Sequence, residues 1–436
     1  MVKVVHRVES CAPQLIKVIA AETGRLLQSG APILNLSQGS PNFPMFDAAV
    51  DAATRRIKSK KLPYTTVNGM LETRQVCADF MNSVILGQQR EETPMYTANH
   101  ICVTNGAVQA IFNSLALSVE NANDVVVSPL PTYGLYEADT HLLGGTFAPL
   151  DCGSATDGFA IQPDDVESAF LKYGERLRVL ILSAPSNPTG CTLSDEEAKA
   201  LADTLERQRQ QFPDSFSIIL DEVYTGIVSS SHVSILRHAT PALRRICFFI
   251  ASVSKGLGGA PGARAGFLAC ADQSLITHVT KLQMATTSNA SVVGQEILAA
   301  SLKHILSRPD HILGEVSMHY RARTDLVCDR LHQIRPSLLT CRPRGAFYVV
   351  ADFSCLGLPT DTAVRECLRD AYLPRGAPNG GDRKPIAASG IAVVPLSAFG
   401  VPPSLCLVRL CCALDVTMLN EAMNVIQNVV QSSEVS

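Results

Sequence analysis

Ile246-Cys247-Phe248-Phe249-Ile250-Ala251-Ser252-Val253-Ser254-Lys255-Gly256-Leu257-Gly258-Gly259-Ala260-Pro261-Gly262-Ala263-Arg264 is the stretch from which the rest of the chain can be read. Residues 246–251 are apolar and have the length of a buried strand. Lys255 follows just past the strand end, in a loop of small residues and glycine, and Arg264 lies farther along that loop. Two hydroxyls and a guanidinium around one amine suit a phosphate beside a Schiff base. Ser252, Ser254 and Arg264 would hold the phosphate, and the Lys255 amine would attack an aldehyde. From these residues alone, a surface lysine on a glycine-rich turn is an equally open reading.

Two more apolar runs end in polar groups. Phe216-Ser217-Ile218-Ile219-Leu220 leads into Asp221-Glu222-Val223-Tyr224, and Val179-Leu180-Ile181-Leu182-Ser183-Ala184 leads into Ser186-Asn187-Pro188-Thr189-Gly190. Three strands that each deliver polar groups at their C-terminal ends predict an open α/β sheet with its ligand at that edge.

Taken together, Asn187-Pro188-Thr189-Gly190, Asp221-x-x-Tyr224, Ser252-x-Ser254-Lys255 and Arg264 make the chain resemble the fold type I pyridoxal-phosphate enzymes. Within these, the resemblance is to the class I/II, aspartate aminotransferase-like family, over about residues 33–425. The intervals Asn187 to Asp221 and Asp221 to Lys255 are equal, and the motif order fits. The resemblance implies pyridoxal 5′-phosphate as cofactor and an α/β pyridoxal-phosphate-dependent transferase fold. That fold has a mostly parallel, seven-stranded-type sheet flanked by helices, plus a smaller α+β domain built from both termini. The expected divisions are 1–45, 46–310 and 311–436.

The same resemblance assigns roles by position. Lys255 carries the Schiff base and, once freed, moves the substrate's α-proton as base and acid. Asp221 keeps the cofactor's ring nitrogen protonated, because opposite charges in contact favour each other's charged form. Tyr224 and the Asn187 amide bond the cofactor's phenolic oxygen. Gly106, Ala107 and Val108 open a helix whose N–H groups cradle the phosphate. Tyr133, with Tyr136 as alternative, stacks on the ring, worth about 0.5–1.5 kcal/mol beyond area burial. Tyr64 crosses a dimer interface to the other subunit's phosphate. Gly39 lies against the substrate carboxylate. Arg409, a lone charge in the apolar run Leu405-Cys406-Leu407-Val408-Arg409-Leu410, forks onto it. Arg264 stands one residue farther from the lysine than in most relatives, with Gly258-Gly259-Ala260 available to absorb the difference.

Bulk properties agree with an ordinary globular enzyme. The chain has 436 residues, enough for two cores, and a net charge of -3, which argues against nucleic acid or a membrane surface as partner. The 14 cysteines are scattered with no C-x-x-C pair, so reduced thiols in a cytoplasmic protein are expected, with neither disulfides nor a metal site.

Elsewhere, helices are expected over about 16–27, 46–59, 109–119, 275–305 and 307–334. The last hundred residues should supply strands at 345–350, 390–400 and 405–410. Pro374–Pro385 reads as a loop and possible lid, and Gln431–Ser436 as a disordered tail.

The leading functional expectation is transfer of an amino group from an L-amino acid to a 2-oxo acid by a homodimer. The same residues also serve lyases and β/γ-replacement enzymes, of the aminocyclopropane-carboxylate-synthase or C–S lyase kind. A non-catalytic pyridoxal-phosphate-binding protein is a third reading. The substrate side chain is not specified. Arg25, Lys281 and Arg344 are candidate cations for a distal carboxylate, while Ile16, Phe43 and Phe347 hint at a neutral or aromatic one.

Overall fold

A computed structural model describes residues 4–9, 11, 13–88, 95–213, 215–229, 232–373 and 385–434. Its strands are β1 (Ile33–Asn35), β2 (Ile101–Thr104), β3 (Val125–Pro129), β4 (Thr146–Leu150), β5 (Leu177–Ser183), β6 (Ser217–Asp221), β7 (Cys247–Ser252), β8 (Gly266–Ala269), β9 (Tyr348–Asp352), β10 (Gly390–Ala392), β11 (Val394–Pro395) and β12 (Leu407–Cys411). The apolar runs behind Asp221 and Lys255 are β6 and β7, in which every residue is buried. Such continuous burial is what helices on both faces of a parallel sheet impose.

The central sheet is seven-stranded, in the order β2-β8-β7-β6-β5-β3-β4. Strands β4, β3, β5, β6 and β7 pair in parallel. Only β8 reverses, antiparallel to both β7 and β2. The double reversal points β2 the same way as β5, β6 and β7, so the C-terminal ends of all four share one edge. The helix Ala107–Ala116 starts at that edge and packs on β7 and β8.

A second core gathers both ends of the chain: Leu34 and Leu36 pack with Val327, Val349, Ile391, Leu410 and Ile426. Here β11, β12 and β9 form an antiparallel sheet, and β1 pairs with β10. The N-terminal helix Leu15–Gln28 is fastened to this part. Its Ile19 is buried against Val350, Val394 and Leu407, and its Glu22 accepts hydrogen bonds from Arg365, at 2.7 Å, and from Arg369.

Several boundaries differ from expectation for local reasons. The helix expected over 275–305 is two helices, Gln273–Thr286 and Val292–Ser307. The polar run between them breaks the ladder: Ser288 is left-handed (φ 64°), and the Ser291 hydroxyl caps the second helix by accepting from the Gly294 N–H. The strand expected over 390–400 divides between two sheets and then turns into a short 3-10 helix, Leu396–Phe399. The tail is helical to Glu434, because Val429 and Val430 are still buried in the second core. Its last two residues lie outside the described residues, as do 374–384, which hold nearly all of the expected loop. No helix among the described residues is long and apolar enough to cross a membrane.

Candidate active site

Where the C-terminal edge of the central sheet meets the small sheet there is a cavity of about 440 Å³. It is lined by Lys255, Asp221, Tyr224, Asn187, Ser252, Ser254, Arg264, Ala107, Val108, Tyr133, Gly39 and Arg409. Most residues singled out from the sequence therefore converge on one space. Tyr136, Ser183, Tyr348 and Lys17 line it as well.

Lys255 stands just past β7 and donates from Nζ to the Gly39 carbonyl. Its amine lies 5.6 Å from the ring centroids of both Tyr224 and Phe347. Burial, reinforced by the positive charges of Arg409, Lys17 and Arg264, pulls the amine down from 10.5 to about 8. An amine so placed is neutral often enough near neutral pH to act as a nucleophile and as a base.

Asp221 is buried at the end of β6. Its Oδ2 accepts from the Tyr136 hydroxyl at 2.6 Å, and Oδ1 from the Val223 N–H at 3.4 Å. Burial raises its carboxyl from 3.8 to about 6, against the lowering effect of those two donors and of Lys255. No cation among the described residues forms an ion pair with it. A protonated ring nitrogen would be the missing partner. Tyr136 is thereby committed through its hydroxyl, whereas Tyr133 meets it edge-on at 5.9 Å and still faces the cavity.

The phosphate end is built from the start of the Ala107–Ala116 helix, whose first N–H groups have no intrahelical acceptor. Gly106 contributes differently from expectation. Its N–H donates to Thr104 at 2.8 Å and is not free for a ligand. Its importance is steric, because at φ +80° any Cβ would stand 2.7 Å from Arg264 Nη2. Arg264 is itself left-handed (φ 48°) and donates to the carbonyls of Pro261 and Asn105. In the same loop Gly259 has a φ of +59°, and a Cβ there would stand 2.5 Å from the Phe43 carbonyl, which leaves no room for a side chain. Ser252 and Ser254 complete this end, with the Ser254 N–H donating to Ser252 Oγ at 3.3 Å.

Across the cavity, Arg409 is 2% exposed. Nη1 donates to Asn187 Oδ1 at 2.7 Å and Nη2 to the Ser37 carbonyl at 2.6 Å. Its guanidinium carbon lies 4.3 Å from the Tyr348 ring centroid and 5.1 Å from that of Phe399. Nε has no partner, and no carboxylate among the described residues pairs with the guanidinium. A buried charge in that state suits an incoming anion. Arginine only donates, so Asn187 must turn its oxygen toward it, leaving the amide NH2 to donate elsewhere. The Tyr224 hydroxyl bonds the Tyr348 hydroxyl at 2.7 Å, a partner not anticipated from the sequence. Gly39 fits beneath that pair only because it lacks a Cβ, which would fall 2.0 Å from Tyr348 Oη.

Other expected residues lie elsewhere. Tyr64 is 90% exposed and lines a separate hollow with Thr287, Ser288 and Asn289, away from Lys255 of its own chain. None of the three suggested distal cations lines the cavity. Arg25 and Lys281 are exposed on their helices. Arg344 is held by Glu197 at 3.1 Å and the Thr192 carbonyl at 2.6 Å. Of the apolar residues, only Ile16 borders the space. Phe43 packs on Phe46 and His319, and Phe347 on Tyr320 and Tyr348.

The arrangement is that of a fold type I pyridoxal-phosphate enzyme: an amine, a buried carboxylate and an anion cradle at the strand ends. The sequence profile described as aminotransferase class I and II matches residues 31–426. The chain belongs to the class I and II aminotransferase family, and it is an aminotransferase acting between amino acids and 2-oxo acids. Among curated relatives, aspartate aminotransferase of Bacillus subtilis is 26% identical, covering 98% of this chain and 99% of its own. An aspartate/prephenate aminotransferase of Cereibacter sphaeroides is 28% identical, covering 90% of each. Among solved structures, the Thermus thermophilus aspartate aminotransferase with maleate superposes with a TM-score of 0.83, at 23% identity over 98% of this chain and 100% of that one. That of Rhizobium meliloti gives 0.79, at 26% identity over 99% of each.

Proposed function

We propose that the chain uses pyridoxal 5′-phosphate, held between Asp221 and the Ala107–Ala116 helix, to pass an amino group from an L-amino acid to a 2-oxo acid. The observation that carries this reading is the pairing of two unsatisfied charges around one amine. Asp221 lacks a cation and Arg409 lacks an anion, on either side of Lys255.

Bound there, the cofactor supplies a ring that draws electrons from the substrate's α carbon. The chain's own residues do the rest. Lys255 would anchor the aldehyde until the substrate amine displaces it, and the freed amine would then take the proton from the α carbon and return it as an acid. Asp221 holds a positive charge on the ring nitrogen, and its own burial strengthens that contact. Ala107, Val108, Ser252, Ser254 and Arg264 bind the phosphate. Asn187 offers its free NH2, and Tyr224 its phenol, to the ring oxygen, and Tyr133 covers the ring face. Arg409 forks onto the α-carboxylate beside Gly39 and fixes the α C–H toward the amine.

The working unit is a homodimer in which Tyr64 serves the partner's phosphate, a reading supported by its exposure and by the exposed apolar residues Ile57, Leu62 and Leu71 near it in the chain. The cytoplasm is the proposed compartment, in keeping with 14 free thiols.

The test is the absorbance of the purified protein before and after single L-amino acids. Conversion of a yellow protein to the pyridoxamine form, with oxo acid but no ammonia released, is expected. Persistent yellow with ammonia release would replace transfer by elimination. A protein that stays colourless with added cofactor would overturn the cofactor assignment.

A further inference from the structure

We propose that the Tyr348 hydroxyl is a positioning group for this chemistry: it donates to Tyr224 and so commits the Tyr224 proton to the cofactor's ring oxygen. The inference rests on the cofactor reading above and adds a residue to it. Tyr348 opens β9, opposite Cys411 of β12, and is 1% exposed. Tyr224 follows β6, so the 2.7 Å bond between the two hydroxyls joins the small sheet to the central one. The Tyr348 ring is fixed on several sides. Arg409 lies over its face at 4.3 Å, the Tyr224 ring meets it edge-on at 5.7 Å, and Gly39 backs its hydroxyl.

Counting protons sets the direction of the bond. Burial pushes both phenols up, so both oxygens keep their protons near neutral pH. Neither hydroxyl has another polar partner among the described residues. With the two alone, either one can donate. A ring oxygen beside Tyr224 is an acceptor and removes that freedom. Were Tyr224 to donate to Tyr348, its own oxygen would face the ring oxygen, and the Tyr348 proton would be left without a partner. Only the relay from Tyr348 to Tyr224 to the ring oxygen satisfies all three. Arg409 favours the same direction, because a positive charge over the Tyr348 ring makes its phenol the stronger donor.

The relay has an electrical consequence. A donor on the ring oxygen steadies negative charge there and loosens that oxygen's hold on the proton it shares with the Lys255 nitrogen. A second donor behind Tyr224 polarises Tyr224 and strengthens the effect. Tyr348 thus lowers the pH at which that proton leaves.

The experiment titrates the visible absorbance of the holoenzyme with pH, without substrate, in wild type, Tyr348→Phe, Tyr224→Phe and the double variant. Tyr348→Phe keeps the ring, and with it the contact to Arg409. The midpoint is expected to rise by about 0.3–1 pH unit in Tyr348→Phe and by about 1–2 in Tyr224→Phe. The double variant should match Tyr224→Phe within about 0.3 unit, because Tyr348 acts through Tyr224. The other groups that set the field there, Asp221, Arg409, Arg264, Lys17, Cys411 and Tyr133, are common to all four proteins.

A lowered midpoint in Tyr348→Phe would mean that Tyr224 had been donating to Tyr348, and would overturn the proposal. An unmoved midpoint would overturn it too. So would a further rise in the double variant beyond Tyr224→Phe, which would mark a structural role independent of Tyr224. Wild type that stays colourless with added cofactor would instead sink the underlying cofactor reading.

Discussion

Asp221 and Arg409 are two buried charges on opposite walls of one cavity, and the protein treats them differently. Asp221 is bonded to a phenol and one N–H, and burial has moved its carboxyl to about 6, so it can shed its charge by taking a proton. Arg409 cannot do so. It is held charged between two aromatic faces and two neutral oxygens. One wall is therefore titratable and suited to a resident group that brings its own positive charge. The other is permanently positive and suited to an anion that comes and goes.

Lys255 stands between the two, and its removal should have the largest effect. Lys255→Ala should lower steady-state turnover by about 10⁴-fold or more, since the covalent anchor and the proton carrier are lost together. The apparent Tm should remain near wild type. Wild-type turnover in this variant would dismantle the whole contrast.

Asp221→Asn should cost about 10²- to 10³-fold in kcat/KM, the scale of losing one strong electrostatic contact to a developing charge. It should also raise the Tm of the cofactor-free protein, because an amide is cheaper to bury than a carboxylate. Arg409→Lys should act on the other wall. A rise in KM for the amino acid of about 10- to 100-fold is expected, with cofactor absorbance unchanged, because lysine cannot reproduce the fork. If Arg409→Lys bleached the cofactor, or Asp221→Asn changed only KM, the division of labour between the walls would be wrong.

The two titrations sharpen the comparison further. A carboxyl raised from 3.8 to about 6 gives stability that is present at low pH and lost as pH rises through 6. An amine lowered from 10.5 to about 8 gives stability that is present at high pH and lost as pH falls through 8. Cofactor-free protein therefore carries both burial costs between about pH 6 and 8. The Tm gain on adding cofactor, read by differential scanning calorimetry, should peak in that window by a few degrees and narrow on either side. A gain that is flat with pH would contradict the raised carboxyl and the lowered amine. The smallest effect is expected from Tyr348→Phe, which removes one neutral hydrogen bond to Tyr224. A few-fold loss in kcat/KM is expected, consistent with about 0.5–1.5 kcal/mol.

What could be read from the chain was whatever lies at the end of a buried strand. Asp221, Ser252 and Lys255 were legible because an apolar run announces its strand, and a parallel sheet collects strand ends at one edge. Arg409 was legible as a charge that an apolar strand would otherwise not tolerate. The residues missed are those whose direction depends on distant packing. The Tyr224–Tyr348 bond joins residues far apart in sequence. Arg344 looked free in the chain yet is tied to Glu197, because ion pairing across elements leaves no trace in local pattern. The Gly106 N–H was misassigned for a subtler reason: a tight turn at Thr104–Gly106 consumes the donor before any ligand arrives.

The way the N-terminal helix is fastened has one more consequence. Ile19 packs on Val394 and Leu407, and these belong to β11 and β12, the strands that flank and carry Arg409. The cavity wall that Ile16 and Ala20 supply is thus tied to the same small sheet as Arg409, while the reactive amine belongs to the other core.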